Sequence, residues 1–134
     1  MREILFRGKC NEIGKKCGQL IEGFYAKDDG KPLIAINKDN GLNGYFVDPS
    51  TVGQYTGLTD NYGKKIFEGD IIKITAIICE SEYIKTIIFK NGLFGVEHSN
   101  TVVPLRAWDN SQLKILGNIY DNPELLEAND GLHH

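Results

Sequence analysis

Residues 54–71 constrain the fold of this chain more than any other stretch. They read Gln54-Tyr55-Thr56-Gly57-Leu58-Thr59-Asp60-Asn61-Tyr62-Gly63-Lys64-Lys65-Ile66-Phe67-Glu68-Gly69-Asp70-Ile71. Three tight-turn signals, Thr56-Gly57, Asp60-Asn61-Tyr62-Gly63 and Glu68-Gly69-Asp70, stand between short apolar segments. Glycine reaches positive φ where other residues meet steric cost, and Asp and Asn bond their own backbone, so such a run dictates a backbone path. Gly57, Asp60, Gly63, Glu68, Gly69 and Asp70 are therefore read as a structural turn signature.

The segment that follows has a period of two. Ile71-Ile72-Lys73-Ile74-Thr75-Ala76-Ile77-Ile78-Cys79 is a strand by β-branching and length, and Tyr83-Ile84-Lys85-Thr86-Ile87-Ile88-Phe89 returns beside it across a Glu80-Ser81-Glu82 tip. Asn91-Gly92 is a strong hairpin signal before a third strand, Leu93 to Glu97, and His98 to Thr101 reads as a loop. Gln112 to Tyr120 alternates as a fourth strand. A meander of this size hides its edges by closing, which predicts an SH3-like barrel over roughly residues 68–120. Its expected core is Ile71, Ile74, Ile77, Ile87, Phe89, Phe94, Ile115 and Leu116. Asn122-Pro123-Glu124 then starts a short helical turn: a capping residue, a proline at the first helical position and an acid.

The first half is β-like but glycine-rich. Ile4, Phe6, Leu20, Gly23-Phe24-Tyr25 and Leu33 to Ile36 are candidate strands, with turns over 11–18, 27–31 and 37–44. Few large apolar side chains occur here, so this half is expected to pack on the barrel or on another subunit. The expected organisation is an N-terminal β-rich segment, 1–52, then the signature, barrel and tail, 53–134. The fold class is mostly β.

Charge and cysteine usage exclude several functions. Fifteen Lys and Arg against 18 Asp and Glu give −3, and the sequence pI is about 5.6. Asp121, Glu124, Glu127 and Asp130 account for −4 with no base beside them, which leaves the first 120 residues near +1. A basic start and an acidic end can pair within or between subunits, but solvated faces are the favoured reading. Cys10, Cys17 and Cys79 match no disulfide framework and fit a reducing compartment. With His98 the one internal histidine, no metal set is expected, and no cofactor. His133 and His134 resemble the stub of a tag and carry no argument. No apolar run reaches the roughly 18–20 residues of a membrane span and no signal peptide is read at the start, so a cytoplasmic protein is expected.

No catalytic constellation assembles. His98 has no nucleophile in pattern with it; Glu68 and Asp70 sit in a turn where Asp70 is expected to accept backbone N–H bonds; Gly63-Lys64-Lys65 lacks the spacing of a phosphate loop. The chain is read as no enzyme. Tyr55, Tyr62, Phe67, Lys64, Lys65 and Lys73 cluster as aromatic and basic residues, which supports nucleic-acid binding as the alternative, but the acidic pI offers little for counterion release. The favoured reading is a protein-interaction or assembly module using Tyr55, Tyr62, Lys64, Lys65 and Trp108, with a homo-oligomer and a further protein as partners. Trp108 is an interface anchor or, equally, a cap on the barrel end.

The signature closely resembles that of the YopX family of phage and prophage proteins. Arg2-Glu3-Ile4-Leu5-Phe6-Arg7-Gly8-Lys9 resembles the family's first strand, Val47 to Gly53 leads into the signature as in relatives, and Gly117-Asn118-Ile119-Tyr120-Asp121-Asn122-Pro123-Glu124-Leu125-Leu126 resembles its C-terminal motif. The resemblance implies a β-rich first part, an SH3-like barrel and a phage or prophage gene; the glycine-rich first half and exposed strand edges separately lead to a phage or host protein being expected as partner. It carries over no catalytic residue.

Overall fold

Short β-branched and aromatic segments bounded by turns form twelve strands among the described residues. The computed structural model describes residues 3–13, 18–38, 41–76 and 81–126. The chain is mostly β, with helix confined to three 3-10 turns and residues 124–126. It divides into two units between Tyr55 and Thr56.

The first unit is an antiparallel sheet. Its strands are β1 (Phe6–Lys9), β2 (Leu20–Asp28), β3 (Lys31–Lys38), β4 (Gly41–Phe46) and the start of β5 (Gly53–Thr59), in the order β4-β3-β2-β1-β5. Asp29 and Gly30, both at positive φ, turn β2 into β3 as a two-residue hairpin requires. Cross-strand partners share a face, so Ile21, Ile34 and Tyr45 fall on one side with Cys10 and Val47. Cys10, Ile21, Ile34 and Val47 are buried there, with Phe6 and Ile36 packed against them. This half thus has a small core of its own. Asp48 caps the 3-10 turn Pro49–Thr51, and the Thr51 hydroxyl accepts from the Lys9 N–H at 2.8 Å, which fastens the turn to β1. Of residues 37–44, expected as a turn, 37–38 instead continue β3 and 41–44 open β4, with Asn37 opposite Leu42. Backbone ladders form independently of side-chain hydrophobicity, so polar, solvated strands give little sequence signal.

The second unit contains β6 (Lys65–Phe67), β7 (Asp70–Thr75), β8 (Glu82–Thr86), β9 (Ile88–Lys90), β10 (Leu93–His98), β11 (Thr101–Pro104) and β12 (Leu113–Asn118). Among the described residues its ladders are two three-stranded antiparallel sheets, β12-β7-β8 and β11-β10-β9, and the pairing of β6 with β5, and no ladder closes them into a ring. The break lies at Ile87. Residues 83–89, expected as one strand, are split there: the Ile87 N–H donates to the Asp70 carbonyl and the Ile87 carbonyl accepts from Gly69, so β8 and β9 enter different sheets. Ile66, Ile72, Ile74, Ile87, Val96, Leu105 and Leu113 form one core from both sheets, with Leu58, Tyr83, Val103, Trp108 and Ile115 against it. Ile71 is buried on the other face of β7. Of the expected core, Phe89 is corrected: it is 53% exposed and packs its ring 4.8 Å from Phe94. Phe89 pairs with Phe94 and so keeps the face of Val96, but it lies beside the Asn91-Gly92 hairpin, beyond the buried cluster. Phe94 and Leu116 are half-buried. Ile77, Cys17, Cys79, His133 and His134 lie outside the described residues.

The connection before β12 holds the 3-10 turns Leu105–Ala107 and Asn110–Gln112, the second closed by a reciprocal capping box between Asp109 and Gln112. Of the expected loop from His98 to Thr101 only Ser99 and Asn100, both at positive φ, form the turn; His98 ends β10 and Thr101 opens β11, which pairs with it. Asn122 does not cap the helical turn with its side chain. Its Oδ1 accepts from the Asn118 N–H at 3.2 Å instead, and a side chain at Gly117 would collide with it.

Candidate interaction surfaces

The signature frames the second unit. The turn Asp60 to Gly63 forms as expected, with the Gly63 N–H on the Asp60 carbonyl at 3.0 Å. Asp60 is 2% exposed and acts as a hub: Oδ1 accepts from Tyr62 and Lys64, each at 2.9 Å, and Oδ2 from Ile115 in β12 at 3.1 Å. Burial pushes its carboxyl up, but the three backbone donors and the Lys64 charge outweigh this and hold it below the ordinary value. Asp70 is also buried and accepts from the Phe67 N–H at 2.8 Å across the Glu68-Gly69 turn. Thr56 and Gly57 do not make a turn. They lie inside β5, with Gly57 at φ +88° and the Thr56 hydroxyl donating to the Ile66 carbonyl at 2.8 Å. Bonding along β5 and β6 overrides the local turn preference of Thr-Gly.

Gly63 and Gly69 both have positive φ. Valine at Gly63, where the space is open, should cost about 1 kcal/mol from backbone strain alone. Valine at Gly69 should cost more, because the Tyr120 ring lies 3.1 Å from where its Cβ would stand. Melting temperatures of the two variants check this order.

The other expected interaction residues are dispersed. Tyr55 is buried in the first unit, its N–H on the Leu5 carbonyl. Tyr62 is 76% exposed beside exposed Lys64, and Lys65 is half-buried in β6. Phe67 is fully buried. Glu68 is half-buried in its turn, and among the described residues no three His, Cys, Asp or Glu side chains converge as metal ligands would. Trp108 is half-buried against the core of the second unit.

Two surfaces stand out that the sequence reading did not assemble. The first is β4, the last strand in its sheet. On its outer side the Phe46 N–H donates to Glu12 Oε1 at 2.9 Å and the Phe46 carbonyl accepts from Asn11 at 3.1 Å. Backbone direction alternates along a strand, so Leu42 and Gly44 also turn their N–H and C=O outward. Among the described residues nothing bonds them there. The strand reads Gly41-Leu42-Asn43-Gly44-Tyr45-Phe46, without the charge or proline that protects an edge, and Leu42 is 68% exposed. That uncharged hexapeptide was the available signal.

The second is a cleft of about 200 Å³ in the second unit. Tyr83, His98 and Trp108 supply its aromatic lining, Ile74, Val96 and Val103 its aliphatic lining, and Lys85 its charge. The Tyr83 and His98 rings meet edge-on with centroids 6.5 Å apart. Tyr83 and Lys85 share the inner face of β8, opposite Ile74 and Ile72. Only Trp108 among the expected interaction residues lines it.

Residues 6–127 match the family model described as YopX protein. A relative from Bacillus subtilis (strain 168), the SPbeta prophage-derived uncharacterized protein YopX, is 34% identical over 71 residues. That match covers 49% of this chain and 53% of the relative, so it spans about half of either protein. Two solved structures share the fold. The crystal structure of protein EF1440 from Enterococcus faecalis aligns with a TM-score of 0.58 at 22% identity, over 94% of this chain and 99% of that one. The crystal structure of protein yopX from Bacillus subtilis aligns with a TM-score of 0.57 at 21% identity, over 93% of this chain and 98% of that one.

Proposed function

The chain belongs to the YopX family, and on that premise we propose that it is a non-enzymatic interaction and assembly module of phage or prophage origin. It works in the host bacterial cytoplasm, self-associates, and engages a phage or host protein. Among the described residues no helix is long and apolar enough to cross a membrane. The two small sheets of the second unit, packed on one core and entered by 3-10 turns, are read as an SH3-like arrangement that stays open.

The observation that carries the proposal is the β4 edge. Strand addition needs outward backbone groups in register and side chains that tolerate contact, and Leu42 and Gly44 offer both. Phe24 on the same sheet, 52% exposed, extends the apolar area beside it. The nucleic-acid alternative draws less support. Tyr55 and Phe67, two of its stacking residues, are buried, and Lys73 lies 3.7 Å from Glu82.

Light scattering tests the assembly. The native chain should form an oligomer that persists in high salt, and Leu42→Lys or Gly44→Pro should leave a folded monomer. A native chain that is monomeric at high concentration overturns self-association. Recovery from infected cells of DNA or RNA alone, lost steeply with salt, favours the alternative.

A further inference from the structure

We propose that the cleft of the second unit binds an acidic peptide segment of a partner protein, which seats one large apolar side chain between Tyr83 and Trp108 and sets a carboxylate against Lys85. This site is separate from the β4 edge and does not depend on it.

The argument starts from the phase of β8. In the register with β7, Tyr83 faces Ile74 and Lys85 faces Ile72, and both isoleucines belong to the core. Lys85 therefore occupies an inward position where alternation calls for a hydrophobe, while Ile84 takes the outward one. A lysine is seldom held on an apolar face without a partner. The neighbouring lysines have partners: Lys73 lies 3.7 Å from Glu82 and Lys90 lies 3.2 Å from Glu97. Lys85 is half-buried and has no carboxylate partner among the described residues. Among the described residues no Asp or Glu lines the cleft. A lining cation with no carboxylate partner among the described residues disfavours cationic ligands and favours an anion, whose charge-assisted bond offsets the desolvation of both groups.

Size narrows the ligand. About 200 Å³ is below the roughly 300–1,000 Å³ of pockets that enclose drug-sized molecules. The cleft holds one side chain, in the manner of a buried anchor at a protein interface, and not a nucleotide cofactor. Tyr83 and Trp108 offer ring surface for that anchor, and the Tyr83–His98 contact holds one wall in place.

Trp108 is the single tryptophan of the chain, so its fluorescence reports this cleft directly. The test titrates the full chain with a capped Glu-Leu-Phe-Glu peptide and with its Gln-Leu-Phe-Gln and Lys-Leu-Phe-Lys analogues. The acidic peptide should shift the Trp108 emission and bind at least tenfold more tightly than the neutral one, with the basic peptide weakest. Lys85→Met, which restores a hydrophobe at an inward position, should keep the fold and bring acidic and neutral affinities within about twofold. Lys85→Gln should behave alike and serves if the methionine repacks the cleft. Equal binding of the acidic and neutral peptides to the native chain overturns the proposal. So does a preference that survives both Lys85 variants, a lack of response to every peptide, or a response only to an oligonucleotide. The same titration on Leu42→Lys should be unchanged, which separates failure of this site from failure of the edge.

Discussion

Replacing Asp60 by alanine should destabilise the protein by about 3 kcal/mol. The change leaves the N–H groups of Tyr62, Lys64 and Ile115 without their acceptor, and each buried donor so stranded costs on the order of 1–3 kcal/mol. Tyr62 and Lys64 are exposed and recover water, so most of the loss falls at Ile115, which packs against the core. Asp60→Asn keeps one carbonyl acceptor and should lie between the two. The same carboxylate sets a pH dependence. Its value in the fold is depressed, so its contribution is complete above the unfolded carboxylate value of roughly 3.9 and is lost as pH falls through the folded one. Urea unfolding at neutral pH and in steps below pH 4 measures both. Asp60→Asn should lose less of its stability over the acid range than the native protein, and equal acid sensitivity would remove Asp60 as the source.

Valine at Gly95 should cost a similar or larger amount, about 3 kcal/mol or more. Gly95 is buried in β10, opposite Pro104 of β11. A Cβ there would collide with the Val103 carbonyl oxygen and stand 2.9 Å from its carbon and 3.1 Å from the Pro104 Cα. These are backbone atoms and cannot rotate away, so the β10–β11 ladder must part. Val103 and His98 line the cleft from these strands, so its Trp108 emission should change with the loss of stability. Circular dichroism with thermal melting checks the stability. A melt equal to that of the native chain would show that the two strands have room to separate.

Local chemistry made some of this legible in the sequence. The Asp60 to Gly63 turn, the Glu68-Gly69-Asp70 turn and the Asn91-Gly92 hairpin follow from side chains that bond their own backbone and residues that reach positive φ. The strand at Ile71 to Thr75 follows from β-branching. Family membership was legible too, because three blocks of residues in order are a property of sequence itself. Thr56-Gly57 carried the same kind of turn signal and lies within a strand, since bonding between β5 and β6 outweighs a two-residue preference.

The candidate surfaces belong to the other class. Lys85 looks like an ordinary solvated lysine until the register with β7 puts it opposite Ile72. Phe89 looks like core until the register places it beside the Asn91-Gly92 hairpin, past the buried residues of its sheet. The edge at β4 exists only because the order of strands leaves that one last. By itself the sequence determined the turns, the mostly β class and the family, all of which depend on contacts between near neighbours. Which strand forms an edge, which face is inward, and that Asp60 reaches Ile115 across 55 positions were decided only by the tertiary structure, because pairing over such separations depends on what the rest of the chain leaves unpaired.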